Sequence, residues 1–323
     1  MERRYRASLQ LVLLALLVML LTGAFYAQGM PAASARILLG EMNGVSVYAG
    51  AIVEGEKVYF SRETLLKGLL LCVGDTSPIP QDMPVQQARN VRKMVGLYVP
   101  ATSDVSLSEE TIYALCALCE QNPLIRTWIV SGMRAPSEQY ALQNETFERY
   151  REMFPPAEAL QRALKDVPVG GASEHQLNTA FDVQFQGKLE WAYTDALDRS
   201  ADGRWLRENA WRFGFIRRYP PEKAHITRVD TEELHFRYVG RVHAMAMQAT
   251  GWCLEEYLAA LRAYGGISIE TQEGETTFVL CTKMTEIGAA FPIPEGYEAA
   301  PSADNQGYAV CALTRNQSSS AVR

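Results

Sequence analysis

Histidine is scarce in this chain. There are four in 323 residues, His175, His225, His235 and His243, so any site that needs imidazole must draw on these. A surplus of basic charge is also missing. The 31 Lys and Arg are outnumbered by 37 Asp and Glu, giving a net charge of −6 and no electrostatic footprint for nucleic acid. There is no internal repeat. Cysteine numbers only six, and Cys116-x-x-Cys119 has no second pair to complete a structural zinc site.

What is present describes an ordinary globular chain with one unusual end. Hydrophobic residues make up 48% and charged ones 21%. The length is generous for one core and short for three, so a main domain with smaller attachments is expected. Arg3, Arg4 and Arg6 precede the only long apolar run, residues 9–27. As a helix that run spans roughly 28 Å, about the thickness of a hydrocarbon core. Basic residues on its N-terminal side keep that end in the cytoplasm. The run is either a signal peptide, with Ala33-Ser34-Ala35 as a distant cleavage site, or an uncleaved anchor, which is the favoured reading. Either way the remainder is expected to be extracytoplasmic.

The pattern divides into four stretches: an anchor or signal segment (1–35), a small stalk or accessory module (36–90), a main domain (91–265) and a small β appendage (266–323). In the second, Asn43-Gly44 is a turn dipeptide ahead of alternating Val45 and Val47, and Ser61 opens a short helix to residue 71. In the third, Ser106 and Glu109 have capping-box spacing for a helix over 106–121 that buries Cys119. A strand over 126–132 follows, then helices from Pro136 and after Pro155-Pro156. Phe181, Val183 and Phe185 alternate with polar residues as in a half-buried strand. Residues 205–213 read as helix closed by Gly214, 234–239 as strand, and 242–264 as one long helix stopped by Gly265-Gly266. Strands over 277–281 and 308–313 carry Cys281 and Cys311, the expected disulfide in an oxidising compartment.

Two histidines stand in chemically suggestive company. His175 and Asp182 lie seven positions apart after Gly170-Gly171, and His235 lies downstream. Two His and one carboxylate, with a fourth position open, form a catalytic zinc set. All three ligand atoms must lie about 2 Å from the metal. Seven extended residues span ~23 Å, so the chain from 175 to 182 must turn. Glu232, three residues before His235, is placed to take a proton from a zinc-activated water and pass it to a leaving amine; Glu233 competes for this role. Arg134, after the strand end Ser131-Gly132-Met133, could bind a substrate carboxylate or steady an oxyanion, and Gln139 could line the same cleft. His225 and His243 are not expected to be ligands. Trp205, Trp211, Phe236 and Tyr238 read as core packing, and the role of Arg237 is undecided.

Five blocks in order resemble the VanY-type D-alanyl-D-alanine carboxypeptidases over roughly residues 92–264. They are Ser131-Gly132-Met133-Arg134, then Ser173-x-His175-x-x-x-x-Ala180-x-Asp182, then the run from Trp205-Leu206 to Arg218-Tyr219-Pro220. The last two are Glu232-x-x-His235-Phe236-Arg237-Tyr238-Val239-Gly240 and Cys253-Leu254-Glu255-Glu256-Tyr257-Leu258. The resemblance implies an α+β fold of the hedgehog/DD-peptidase kind, a small antiparallel sheet with flanking helices around a zinc site. It implies Zn²⁺ held by His175, Asp182 and His235, Glu232 as base, Arg134 as transition-state stabiliser and Ser173 as a substrate contact. It implies removal of the C-terminal D-alanine from peptidoglycan stem peptides. The chain departs from the family at Asn178, where glycine is usual, at Met133 for tyrosine, and at Glu233-Leu234 for Pro-Trp. Asparagine tolerates a left-handed backbone, so the loop at 178 is expected to survive. An L,D-carboxypeptidase trimming tetrapeptide stems, or a non-catalytic cell-wall module with a structural metal, are the competing readings. No obligate protein partner is indicated.

Overall fold

The Asn43-Gly44 pair forms the turn its chemistry favours. Both residues have positive φ, 52° and 76°, as a two-residue hairpin with the twist of its strands requires. It joins β1 (Leu38–Met42) to β2 (Val45–Ala49) in antiparallel register. The computed structural model describes residues 36–124, 127–185, 200–229 and 234–316. The segment 1–35 read as an anchor or signal lies outside them; among the described residues no helix is long and apolar enough to cross a membrane.

β3 (Glu56–Ser61) ends at Ser61, whose hydroxyl caps the helix Arg62–Leu66 by accepting from the Thr64 amide. That helix stops at Leu66 rather than at residue 71. Gly68 passes so close to Ser302 that a Cβ would stand 2.5 Å from it. Residues 69–71 then run between three apolar cores: Leu69 packs on one, and Leu70 and Leu71 are buried in the other two. β4 (Arg89–Asn90) and β5 (Ser106–Leu107) form a short ribbon. The next helix is Glu109–Gln121, one turn later than expected. Its N-cap is Ser108, which accepts from the Thr111 amide, because Ser106 is committed to β5.

The central sheet is built from β6 (Thr127–Ser131), β7 (Ala180–Phe185), β8 (Phe215–Arg217) and β9 (His235–Tyr238), in the order β6-β7-β9-β8 and antiparallel throughout. Period-2 alternation sends Phe181, Val183, Phe236 and Tyr238 into a core with Ile112, Leu115, Leu118 and Cys119. The same alternation turns Asp182, His235 and Arg237 to the opposite face. The helices Pro136–Arg151 and Pro156–Asp166 start where their prolines place them. The stretch 242–264 is two helices, Arg241–Thr250 and Leu254–Tyr264. Gly251, at φ 68°, ends the first in a left-handed cap, and the Glu256 carboxylate accepts from the Cys253 amide to start the second.

The C-terminal stretch holds five strands: β10 (Gly266–Thr271), β11 (Thr276–Lys283), β12 (Gly288–Ile293), β13 (Tyr297–Ala303) and β14 (Tyr308–Arg315). They join the N-terminal hairpin in one six-stranded sheet, β1-β2-β10-β11-β14-β13, while β12 pairs with β3. The segments 36–90 and 266–323 thus hydrogen-bond to each other, with Val47 opposite Ile269. Val47, Ile267, Ile269 and Val279 face the last two helices; Leu280 and Cys311 face Leu65, Leu71 and Phe291 on the other side.

The expected disulfide is absent. Cys281 and Cys311 are both free, as are the other four cysteines. Cys281 pairs with Val310, and Cys311 with Leu280. That one-position offset points the two side chains to opposite faces of the sheet. Burial pushes both thiols up to about 12, so they remain protonated and unreactive. The melting temperature is accordingly expected to be the same with and without a thiol reductant. A fall of several degrees on reduction would show that a bridge forms.

Candidate metal centre

The turn demanded between His175 and Asp182 is a single 3-10 turn, Glu174–Leu177, closed by Asn178. Asn178 adopts φ 61° and ψ 10°, the left-handed conformation for which glycine is usual. Its side chain donates to the Gln86 carbonyl (2.9 Å) and its own carbonyl accepts from the Ser108 amide (2.8 Å). The chain then enters β7 at Ala180 with its direction reversed.

Pairing in the central sheet completes the constellation. Asp182 stands directly opposite His235 across the β7–β9 ladder, on the same face, and Ser131 of β6 stands opposite Asp182 on its other side. One ligand atom each from His175, Asp182 and His235 lies within 4.8 Å of the others. His175 Nε2 is 3.2 Å from Asp182 Oδ2, and His235 Nδ1 is 2.9 Å from Asp182 Oδ1. Two ligand atoms on a tetrahedral zinc ion stand about 3.3 Å apart, so this donor set fits one ion. The two rings meet edge to face at 4.9 Å.

The rings present different nitrogens. His175 Nδ1 lies 2.6 Å from the Gly132 carbonyl, which only accepts, so Nδ1 carries the proton and Nε2 is left for a metal. His235 presents Nδ1 to Asp182, while its Nε2 lies 3.4 Å from Glu174 Oε2. Burial raises the pKa of Asp182, but the two imidazoles outweigh it and hold the carboxyl well below its usual range.

Beneath the site is a buried ionic cluster of which sequence reasoning had only a hint. Glu174 is 3% exposed. Its Oε1 accepts from Arg218 Nε (2.8 Å) and Arg237 Nη1 (2.7 Å). Arg218 also grips Glu255 with both terminal nitrogens, at 3.0 and 2.7 Å. Arg237 donates to the Leu69 carbonyl (2.7 Å). Burial would raise the Glu174 pKa; Arg218, Arg237 and His235 together overcome this and keep it ionised. The available signal was Arg237 itself, a charge between buried Phe236 and Tyr238, since a buried guanidinium requires a partner.

Arg134 reaches the rim of the cluster, 3.7 Å from Asp182 Oδ2. Its Nη1 donates to Gln139 (2.9 Å) and its Nη2 to Ser131 (3.0 Å). Gln139 was expected to line the cleft, but it is fully buried. Its oxygen is on Arg134 and its amide on the Pro168 carbonyl (2.6 Å), so it acts on the cleft through Arg134. Ser173 begins the 3-10 turn without a side-chain capping bond. Glu232 and Glu233 lie outside the described residues. His225 is exposed. His243 is buried against the Tyr257 hydroxyl (2.7 Å), with burial lowering its pKa to about 4, as befits a structural histidine.

Comparison with known proteins adds to this geometry. Residues 106–241 match the family described as VanY, D-alanyl-D-alanine carboxypeptidase. A D-alanyl-D-alanine carboxypeptidase of Enterococcus faecalis is 34% identical over 194 residues, 58% of this chain and 65% of that protein, so the chain spans just under two thirds of that relative. The putative carboxypeptidase YodJ of Bacillus subtilis is 33% identical over 193 residues, 55% of this chain and 70% of the relative. The crystal structure of the vancomycin-resistance D,D-dipeptidase VanXYg, with a D-Ala-D-Ala phosphinate analog, shares the fold. It has a TM-score of 0.68, 22% identity, and coverage of 81% of this chain and 100% of that one. A vancomycin-resistance D,D-pentapeptidase VanY, solved in complex with Zn(II), is 31% identical, covering 58% of this chain and 98% of its own at a TM-score of 0.48. With residues 106–241 matching the family and 33% identity over a 193-residue alignment that covers 70% of a relative, the chain belongs to the VanY family of D-alanyl-D-alanine carboxypeptidases.

Proposed function

We propose that this protein is a zinc-dependent carboxypeptidase that releases the C-terminal D-alanine from peptidoglycan stem peptides. The observation that carries the reading is the convergence of one ligand atom each from His175, Asp182 and His235 within 4.8 Å in a chain of this family. His175, Asp182 and His235 would hold the zinc ion, which would supply Lewis acidity toward water and a peptide carbonyl. Glu232 takes the proton of the attacking water and hands it to the departing D-alanine amine. Arg134, fixed by Ser131 and Gln139, meets the substrate carboxylate or the developing oxyanion. Ser173 contacts the peptide from the head of the 3-10 turn. A closed, structural site would need a fourth protein ligand. His243 is committed to Tyr257 and His225 is exposed, which favours the catalytic reading.

Residues 1–35 hold the enzyme at the membrane with its catalytic domain outside, in keeping with the arginines ahead of the apolar run. Fractionation of the chain with and without that segment tests the anchor. The activity itself is tested on synthetic pentapeptide and tetrapeptide stems, with and without chelator. D-Alanine release from the pentapeptide is expected, lost on chelation and restored by zinc. Release from the tetrapeptide alone would make the enzyme an L,D-carboxypeptidase. Stoichiometric zinc with no release from either would leave only a wall-binding module.

A further inference from the structure

The cluster beneath the site invites a question that the ligand set does not answer: why two arginines and a glutamate are buried behind one histidine. Glu174 is adjacent in sequence to the ligand His175, and its carboxylate reaches toward the other histidine, His235. Its two oxygens have separate duties. Oε1 is held by Arg218 and Arg237, at 2.8 and 2.7 Å, which fixes the carboxylate plane. Oε2 faces His235 Nε2 at 3.4 Å. His235 Nδ1 is hydrogen-bonded to Asp182 Oδ1 at 2.9 Å; a metal ion taking Nδ1 would leave the imidazole proton on Nε2, where the Glu174 carboxylate stands to accept it. The Tyr219 ring stacks on the imidazole at 5.3 Å and limits its rotation.

We infer that Glu174 is a positioning residue: held by Arg218 and Arg237, it holds the orientation of His235 so that Nδ1 faces the metal position. This rests on the zinc reading above. It also explains how parts of the chain far from the centre in sequence reach it. Arg218 also bonds Glu255 on the last helix, and Arg237 also bonds the Leu69 carbonyl between the three cores. Removing an outer partner of a metal-bound histidine costs 10–100-fold in metal affinity.

The test compares two carboxylate variants on the full chain. Glu174→Gln removes the acceptor facing His235. Glu255→Gln removes a carboxylate from the same Arg218 without touching His235. Zinc affinity is measured by chelator competition, and the melting temperature of each metal-free protein is measured alongside. Glu174→Gln is expected to weaken zinc binding about 10–100-fold, while Glu255→Gln lowers the melting temperature and leaves zinc affinity unchanged. Equal loss of affinity in both variants, or none in a folded Glu174→Gln, overturns the inference. If Glu174→Gln does not fold, Glu174→Asp, which keeps the charge between the arginines and draws the carboxylate back from His235, decides. A loss of zinc affinity in a folded Glu174→Asp supports the positioning role, and an unchanged affinity overturns it. A wild type that binds no zinc would instead remove the reading on which the inference stands.

Discussion

Glu232→Gln is expected to lower kcat for D-alanine release by ~10²–10⁴-fold while leaving zinc content unchanged. Glutamine keeps the size and hydrogen-bonding reach of the side chain but cannot take a proton at neutral pH. The described carboxylates near the centre are committed elsewhere: Asp182 lies between the two imidazoles, and Glu174 is buried and held ionised by two arginines. The Leu234 carbonyl accepts from the Val183 amide at 3.1 Å, which ties residue 234 beside Asp182. Glu233→Gln is the matched control, expected to cost little. The assignment fails if Glu233→Gln loses activity while Glu232→Gln retains it.

The centre was legible because its parts are chemically distinctive and locally constrained. Four histidines left few choices, and a seven-residue separation that must close on one ion demanded a turn, which Asn178 makes. The central strands were legible for a similar reason, since alternation is a local property of Phe181, Val183 and Phe185. What escaped is what long-range pairing decides. Val47 and Ile269 lie side by side in one sheet, yet nothing in either stretch announces the other. That is why the two ends read as separate attachments. The Cys281–Cys311 pairing failed on register, which composition does not carry. The long helix over 242–264 failed at Gly251, where a left-handed cap outweighs continuous apolar spacing on either side. The Glu174–Arg218–Arg237 cluster escaped because Arg237, undecided between the ligand face and a carboxylate partner, does not name that partner; only burial shows that the three charges must satisfy one another.

Arg134→Ala is expected to lower kcat by ~10²–10³-fold, the cost of one donor aimed at developing negative charge. The side chain is long and would pay entropy to hold one pose unaided, but Ser131 and Gln139 fix it at 3.0 and 2.9 Å. Gln139 is itself fixed by the Pro168 carbonyl, so the guanidinium is set before substrate arrives. Its 3.7 Å approach to Asp182 places it at the edge of the metal position rather than out in solvent. Arg134→Lys keeps the charge and loses the planar fork, so it should recover only part of the activity. Gln139→Leu keeps Arg134 but frees it, and a smaller loss than Arg134→Ala is expected. Two substrates separate the two roles of the guanidinium. With a stem peptide ending in a free carboxylate, both roles contribute; with its C-terminal amide, recognition of the terminal carboxylate cannot. If Arg134→Ala costs as much on the amide as on the acid, the residue serves the oxyanion. If the loss is confined to the acid and appears in KM, it serves substrate recognition. Activity on the acid within a few-fold of wild type would remove Arg134 from the site altogether.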